Sequence, residues 1–198
     1  MSRIIKYKCE EQFQLLANQL ARANTHFYFA KKLHENYRQL SLAKDFWDYT
    51  LAAHCSIAML DLARIYDTHK NGLNLFNSLN SIDKNFLDRS KRQVLDDYIA
   101  YCGPKTQDFM VQSLRKWRNN IIAHFNVDTA FDRESFDKNN PLEPEHMVVT
   151  LTEKGFKMLE WCSGLHGKNT TYQKFASEKE SCEKVLNCLQ NAKGLKHE

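Results

Sequence analysis

Apolar residues recur along the first third of the chain at the spacing of an α-helix. From residue 8 to about residue 39 they follow an i, i+3, i+4 rhythm that forms one broad stripe. A second stripe, from residue 44 to residue 69, is the most regular in the sequence, and Thr68–Gly72 supplies basic residues and a glycine cap to end it. The pattern predicts two long packed helices, with Asn24-Thr25 as the position for a kink or break in the first.

The middle of the chain predicts a short helix and then a longer one. Residues 73–79 fit the short helix, and Gly103-Pro104 is a firm break, because glycine suits the end of one helix and proline suits the first turn of the next. We therefore expect a helix that begins near residue 105 or 106 and ends near Asn126. Its apolar face consists of residues at helical spacing: Leu114, Trp117, Ile121, Ile122 and Phe125.

The last third of the chain is less regular. Aspartate, asparagine, proline and glutamate dominate residues 128–145, which predicts a loop, and residues 147–150 have the composition of a single strand. Thr152 fits the cap of the first of two C-terminal helices, which a break at Gly164–Gly167 separates. The second of these helices is expected at about residues 171–192.

Composition places these helices in one all-α domain. Apolar residues make up 42% and charged residues 26% of the 198 positions, as in ordinary globular proteins. Only 6 glycines and 3 prolines occur, which favours helices over a sandwich or barrel with many turns. We expect a single domain over residues 1–198, with a helical core at about 8–126, a loop at 127–150 and C-terminal helices at 151–193.

Charge, cysteines and apolar runs limit the classes of function. The net charge of +4 permits an acidic partner such as RNA without requiring one. Neither a membrane span nor the apolar core of a signal peptide is present, so we expect a cytoplasmic protein without membrane contact. The 6 cysteines contain no CxxC pair, which favours reduced thiols and argues against a zinc site. With no glycine-rich phosphate loop or metal cluster in the sequence, we expect no metal and no cofactor.

Polar residues interrupt the helix expected at 105–126. Arg118, Asn119 and Asn120 are consecutive, and His124 lies further along. Asparagine side chains compete for backbone hydrogen bonds and are poor helix material, so their presence here favours a functional site. The alternative is a surface arginine, a tolerated polar patch, and a histidine that favours the C-terminal end of the helix dipole. The residue pattern alone leaves both interpretations open.

Two stretches resemble a known superfamily. Arg118 and His124, with five residues between them, resemble the Arg-x(4–6)-His signature of the HEPN superfamily. The long second helix, with Phe46-Trp47 early and Leu62–Asp67 (Leu-Ala-Arg-Ile-Tyr-Asp) late, is similar to the AbiU-like abortive-infection branch. Together the stretches cover residues 44–126. The resemblance implies a HEPN-like antiparallel helical bundle with a C-terminal helical extension, paired as a homodimer.

The resemblance also implies RNA cleavage without metal, in which the ribose 2′-hydroxyl is the nucleophile. It gives His124 the part of acid or base and Arg118 the part of the cation that binds the phosphate. Asn119 or Asn120 would orient the histidine or donate to the phosphate. Further contacts with the RNA substrate are expected from four residues: Arg64, Asp67, Arg115 and Lys116.

Helix geometry favours a site shared by two chains. In one regular helix, Arg118 and His124 lie ~120° apart around the axis and ~9 Å apart along it, so a single chain makes a poor catalytic centre. Two chains packed about a two-fold axis would bring Arg118 of one towards His124 of the other. Instead of contacting substrate, Arg64 and Asp67 could form a structural salt bridge with each other. His54 has a similar pair of interpretations, a catalytic histidine or a hydrogen-bonded histidine of the core.

Three functions stay open from the sequence. The first is a ribonuclease toxin or phage-defence protein, which would have RNA as substrate and an antitoxin protein as a partner. Asn126 stands two residues after His124, where related toxins carry a tyrosine that is modified, so control by that route is not expected. The second is a non-catalytic HEPN-type dimer that binds RNA or nucleotide, and the third is a helical adaptor.

Overall fold

The chain folds into a bundle of α-helices, as a computed structural model shows for residues 3–36, 44–119, 144–168 and 170–191. Within these ranges there are seven α-helices and no strand. The helices are α1 Arg3–Glu35, α2 Lys44–Ile65, α3 Leu75–Asn80, α4 Arg89–Cys102, α5 Phe109–Trp117, α6 Pro144–Leu165 and α7 Glu178–Asn191. A 3-10 turn, Lys84–Phe86, lies between α3 and α4. The prediction of an all-α bundle is confirmed.

Helix α1 is central and runs antiparallel to α2. Arg22 of α1 contacts Asp61 of α2, and His26, one turn later on α1, contacts His54, two turns earlier on α2. The helix does not break at the predicted position, because the Thr25 hydroxyl donates to the carbonyl of the preceding turn at 2.8 Å and stays inside the helix. Most of the expected apolar stripe is buried: Phe13, Leu16, Leu20, Phe27, Phe29, Ala30 and Leu33. Leu15, which was counted in the stripe, is exposed.

Helix α6 packs antiparallel against the other side of α1, and a glycine permits the close approach. A Cβ at Gly155 would lie 2.9 and 3.0 Å from the two methyl carbons of Leu20 and 3.4 Å from the hydroxyl of Tyr66. Both neighbours are fully buried. The Tyr66 hydroxyl also donates to the carbonyl of Leu151 at 2.6 Å, which fixes the end of α2 against α6.

Two helix ends differ from the predictions. Helix α2 ends at Ile65 rather than residue 69, because Asp67 turns its carboxylate back onto the backbone N–H of Thr68 at 2.8 Å. Helix α5 begins at Phe109 rather than near residue 105, because the Asp108 carboxylate caps it by accepting from the N–H groups of the first turn at 3.0 and 3.1 Å. The predicted continuation of α5 to Asn126 lies outside the described residues beyond Asn119.

The predicted loop at 127–150 lies outside the described residues as far as residue 143, and its last part, with the strand expected at 147–150, is wrong. Residues 144–165 form one helix, and Thr152 lies inside it rather than at its start. Val148 is fully buried in the core, whereas Val149 is exposed, so the helix places one of the two valines inside and burial outweighs the preference of the pair for a strand. The break predicted at Gly164–Gly167 is present, because the helix ends at Leu165 and Gly167 follows with a φ of 74°. The buried face of α6 includes Met147, Val148, Leu151, Phe156 and Leu159.

Helix α7 begins at Glu178, later than the predicted residue 171. The preceding segment is held against α1 by hydrogen bonds that a helix would not allow in this place. The Asn24 amide donates to the Lys174 carbonyl at 3.0 Å, and the Ala176 N–H donates to the Thr25 hydroxyl at 2.8 Å. None of the described helices is both long and apolar enough to cross a bilayer.

The contact between α1 and α6 makes two glycines of the same helix respond in opposite ways to alanine. We expect Gly155→Ala to destabilise the fold by about 1–3 kcal/mol, because the new methyl group overpacks Leu20, which has no room to move. The matched control is Gly164→Ala, where no atom lies within 4 Å, and we expect it to stabilise the protein by about 0.5–1 kcal/mol. Urea denaturation of both variants measures the difference, and two changes of the same sign and size would contradict the packing described.

Candidate active site

Arg115 of α5 ties three segments together with one guanidinium group. Its Nε and Nη2 donate to the carbonyl of Tyr66 at 3.2 and 2.8 Å. Its Nη2 also donates to the carbonyl of Cys102 at 2.8 Å, and its Nη1 donates to that of Gly103 at 2.9 Å. These carbonyls lie at the C-terminal ends of α2 and α4, where helices leave oxygen atoms without partners and carry partial negative charge. Arg115 therefore stabilises the ends of two helices.

Arg118, one turn after Arg115, is the central residue of the candidate site. Its Nη1 lies 2.9 Å from Oδ1 of Asp67, and its Nε donates to Oδ1 of Asn119 at 3.0 Å. The side chains of Arg118 and Asp67 keep 27% and 30% of their surface exposed. The guanidinium is therefore fixed by two partners and still reaches solvent.

Asp67 is held as firmly as the arginine that it binds. Partial burial acts to raise the pKa of its carboxyl group, but hydrogen bonds from Arg118 and from the backbone N–H groups of Thr68 and His69 outweigh burial and lower it. Asp67 therefore stays charged at neutral pH. Partial burial also lowers the pKa of the Arg115 guanidinium; among the neighbouring charges Asp67 raises it and Arg118 lowers it.

The backbone changes at the candidate site. Helix α5 is α-helical up to Trp117, and Arg118 and Asn119 then form part of a wider, π-helical turn. Such turns are uncommon and are often found at functional sites, because they redirect the side chains that they carry. The two other members of the predicted catalytic set, Asn120 and His124, lie outside the described residues.

The structure separates the four residues expected to contact substrate. Arg115 directs its N–H groups at main-chain carbonyls, and Lys116 is exposed on α5. The salt bridge considered for Arg64 with Asp67 does not form, because α2 ends at Ile65 and Asp67 leaves the helix. Arg64 lies instead 3.8 Å from Asp61, with 67% of its side chain exposed. Asp67 is thus the one that joins Arg118 directly.

Sequence reasoning missed a buried ion pair between α1 and α2. Arg22 Nε donates to Oδ2 of Asp61 at 2.7 Å, and its Nη2 binds the other carboxylate oxygen. Only 3% of the Asp61 side chain is exposed. The signal in the sequence was a lone carboxylate within the apolar run 58–63 of α2.

A pair of histidines lies beside that ion pair. The Nδ1 atoms of His26 and His54 are 2.8 Å apart, so one ring donates to the other. Burial lowers the pKa of both. His54 is half-buried and hydrogen-bonded, as in the structural alternative considered for it.

Taken together, these contacts describe an all-α domain in which the candidate arginine, Arg118, is held at the end of α5 by Asp67 and Asn119. The family model HEPN_AbiU2, described as AbiU2, matches residues 6–183, and the chain therefore belongs to the AbiU2 family of HEPN proteins. No curated protein and no solved structure matches the chain.

The contacts of Arg115 predict a large effect on stability from a conservative substitution. We expect Arg115→Lys to destabilise the protein by about 2–4 kcal/mol, because one ammonium group cannot reach three carbonyls and leaves partly buried oxygens without donors. The control is Lys116→Ala, an exposed neighbour, with an expected change within about 0.5 kcal/mol. Guanidinium denaturation measures both, and equal changes would show that Arg115 does not hold the helix ends.

The lowered pKa of Asp67 predicts a dependence of stability on pH. A carboxyl group whose pKa is lower in the folded protein than its ordinary value of 3.8 stabilises the fold above that value, and the contribution disappears as the pH falls through the folded pKa. Asp67→Asn should therefore cost about 1 kcal/mol or less at neutral pH, and nothing in acid that protonates Asp67. Denaturation of both proteins across this range tests it, and a difference that persists unchanged in acid would contradict the ion pair.

Proposed function

We propose that this protein is a metal-independent endoribonuclease that acts in phage defence by abortive infection. Two copies form its site, with Arg118 of one and His124 of the other at the scissile phosphate. RNA is the substrate, a second copy is the partner, an antitoxin protein controls the activity, and the cytoplasm is the compartment. Membership of the AbiU2 family supports this class of function.

The geometry of Arg118 is the observation that carries the proposal. Asp67 occupies Nη1 and Asn119 occupies Nε, whereas no described residue accepts a hydrogen bond from Nη2. Two partners therefore orient the guanidinium before a substrate arrives, and we assign its Nη2 to donate to a phosphate oxygen. An arginine that only stabilised the fold would direct its donors inward, as Arg115 does.

The proposed reaction uses the substrate's own hydroxyl group. A base removes the proton from the ribose 2′-hydroxyl, the 2′-oxygen forms a bond to phosphorus, and the bond from phosphorus to the 5′-oxygen breaks. An acid then protonates the leaving 5′-oxygen, and the products are a 2′,3′-cyclic phosphate and a 5′-hydroxyl end. Histidine titrates near neutral pH and can serve as either an acid or a base, so we assign one of these two proton transfers to His124. Arg118 balances the negative charge that grows on the phosphate oxygens.

Asp67 and Asn119 take the part of positioning residues. Neither is assigned contact with the reacting atoms, since both bind the guanidinium of Arg118 instead. Asp67 also lowers the net positive charge of the site, because its carboxylate neutralises one of the two neighbouring guanidinium charges, those of Arg115 and Arg118. A site with an unbalanced pair of guanidinium groups would be less stable before the RNA binds.

Cleavage of RNA in the presence of a metal chelator tests the proposal. We expect the purified protein to cleave RNA and to leave 2′,3′-cyclic phosphate ends. His124→Ala should reduce the rate by about 10²–10⁴-fold through loss of proton transfer. Arg118→Lys should reduce it by about tenfold or more, because lysine lacks the two-donor geometry. The matched controls are His34→Ala and Lys157→Ala, both exposed and outside the site, with rates equal to that of the unchanged protein.

Two outcomes contradict the proposal. If cleavage persists in His124→Ala, the histidine does not transfer the proton. If the unchanged protein is folded and binds RNA but does not cleave it, the chain is the non-catalytic HEPN-type module. Circular dichroism of each variant separates loss of activity from loss of the fold.

A further inference from the structure

A cleft with two chambers lies between α1 and the start of α7, away from the candidate active site. The outer chamber has a volume of about 450 Å³, within the range of ligand pockets. The inner chamber has a volume of about 190 Å³. Arg22, Ala176 and Glu178 line both chambers and so lie at the junction where the two adjoin.

The walls of the cleft are held in place by specific contacts. Asn24 and Thr25 of α1 fix the segment before α7 through the two hydrogen bonds described above. The ammonium group of Lys179 then lies 4.1 Å from the centre of the Phe175 ring and 4.7 Å from that of Tyr28. The space between α1 and α7 is therefore a formed cleft whose walls do not depend on a ligand.

Two opposite charges stand at the junction of the chambers on different helices. Asp61 anchors Arg22 from behind, and 51% of the Arg22 side chain remains exposed. Glu178 faces it from α7 and contributes to the raised pKa of Arg22, after Asp61 as the main cause. Within the described part of the chain no ion pair joins Arg22 to Glu178. Asp61 binds Nε and Nη2 of Arg22, which leaves Nη1 to face a ligand, and among the described residues Glu178 accepts a hydrogen bond only from the Ser177 hydroxyl, at 3.3 Å.

Beyond Arg22 and Glu178 at its edge, the inner chamber is lined by side chains without a formal charge. His26 and His54 form part of its wall and share their hydrogen bond there, and burial lowers the pKa of each ring. Phe29 presents its ring against His54 with 4.6 Å between the ring centres. Thr25 and Cys182 complete the lining. Such a chamber accepts an apolar or aromatic group and excludes a charged one.

We propose that this cleft binds a free α-amino acid with an uncharged, apolar side chain. The ligand carboxylate pairs with Arg22, its ammonium group pairs with Glu178, and its side chain fills the inner chamber. A phosphate-bearing ligand fits less well, because Glu178 repels it at the junction. A simple cation also fits less well, because Arg22 repels it. The site shares no residue with the proposed nuclease site, so either proposal can fail alone.

Isothermal titration of the intact protein with L-leucine and L-phenylalanine tests the proposal. We expect saturable binding of at least one of them, and none of N-acetyl-leucine or leucinamide, each of which lacks one of the two charges. Glu178→Gln should weaken binding by about tenfold or more, because the amide cannot balance the ammonium charge. Glu180→Gln, an exposed neighbour outside the cleft, is the matched control and should bind as the unchanged protein does.

Each other outcome overturns the proposal. Absence of binding at millimolar leucine and phenylalanine rejects the ligand class, and binding of the blocked analogues with equal affinity rejects recognition of both charges. Unchanged affinity in Glu178→Gln rejects the assigned contact. Arg22 is left intact throughout, because its substitution would remove the main partner of the buried Asp61, with only Arg64 at 3.8 Å remaining, and would destabilise the fold.

Discussion

The hydrogen bonds of Arg115 are the constraint on which the arrangement of the candidate site depends. One guanidinium group binds the carbonyls of Tyr66, Cys102 and Gly103, so the ends of α2 and α4 are both attached to α5. Helix ends need donors for their last carbonyls, and a single side chain that satisfies two of them fixes the angle between three helices. The position of every residue that follows Arg115 on α5 is set from this point.

Arg118 inherits its position from that attachment. It lies three residues after Arg115, and the loop that carries Asp67 follows directly on Tyr66, whose carbonyl Arg115 binds. The partner of the candidate arginine is therefore placed by the same interaction that places the arginine. Arg115 and Arg118 can lie close together despite their repulsion, because the Asp67 carboxylate attracts both of them.

The long amphipathic helices were predictable because their burial follows their periodicity. Residues on the stripe of α1, such as Leu16 and Leu20, are buried at the positions that the spacing indicated. Helix α6 was not predictable in this way. Its start is polar and its Val148-Val149 pair favours a strand by composition, whereas contacts with α1 decide its conformation.

The site could be predicted only in part, because some of its contacts depend on how the helices pack in the tertiary structure. Arg118 and Asp67 were both candidates from residue order, but Asp67 was expected to contact substrate or to pair with Arg64, and its actual partner depended on where α2 ends. That end is set by a side chain that caps its own loop, a local competition that periodicity does not show. The role of Arg115 as a binder of carbonyls needed the positions of two other helices, which no spacing within α5 contains.

The central claim, a nuclease site shared by two chains, is tested most directly by mixing two inactive variants. Arg118→Ala and His124→Ala are each purified, combined in equal amounts and allowed to exchange subunits before RNA is added. If Arg118 of one copy acts with His124 of the other, mixed dimers regain one complete site, and activity returns to about a quarter of that of the unchanged protein. If the mixture stays as inactive as its components while subunits demonstrably exchange, the shared site is contradicted.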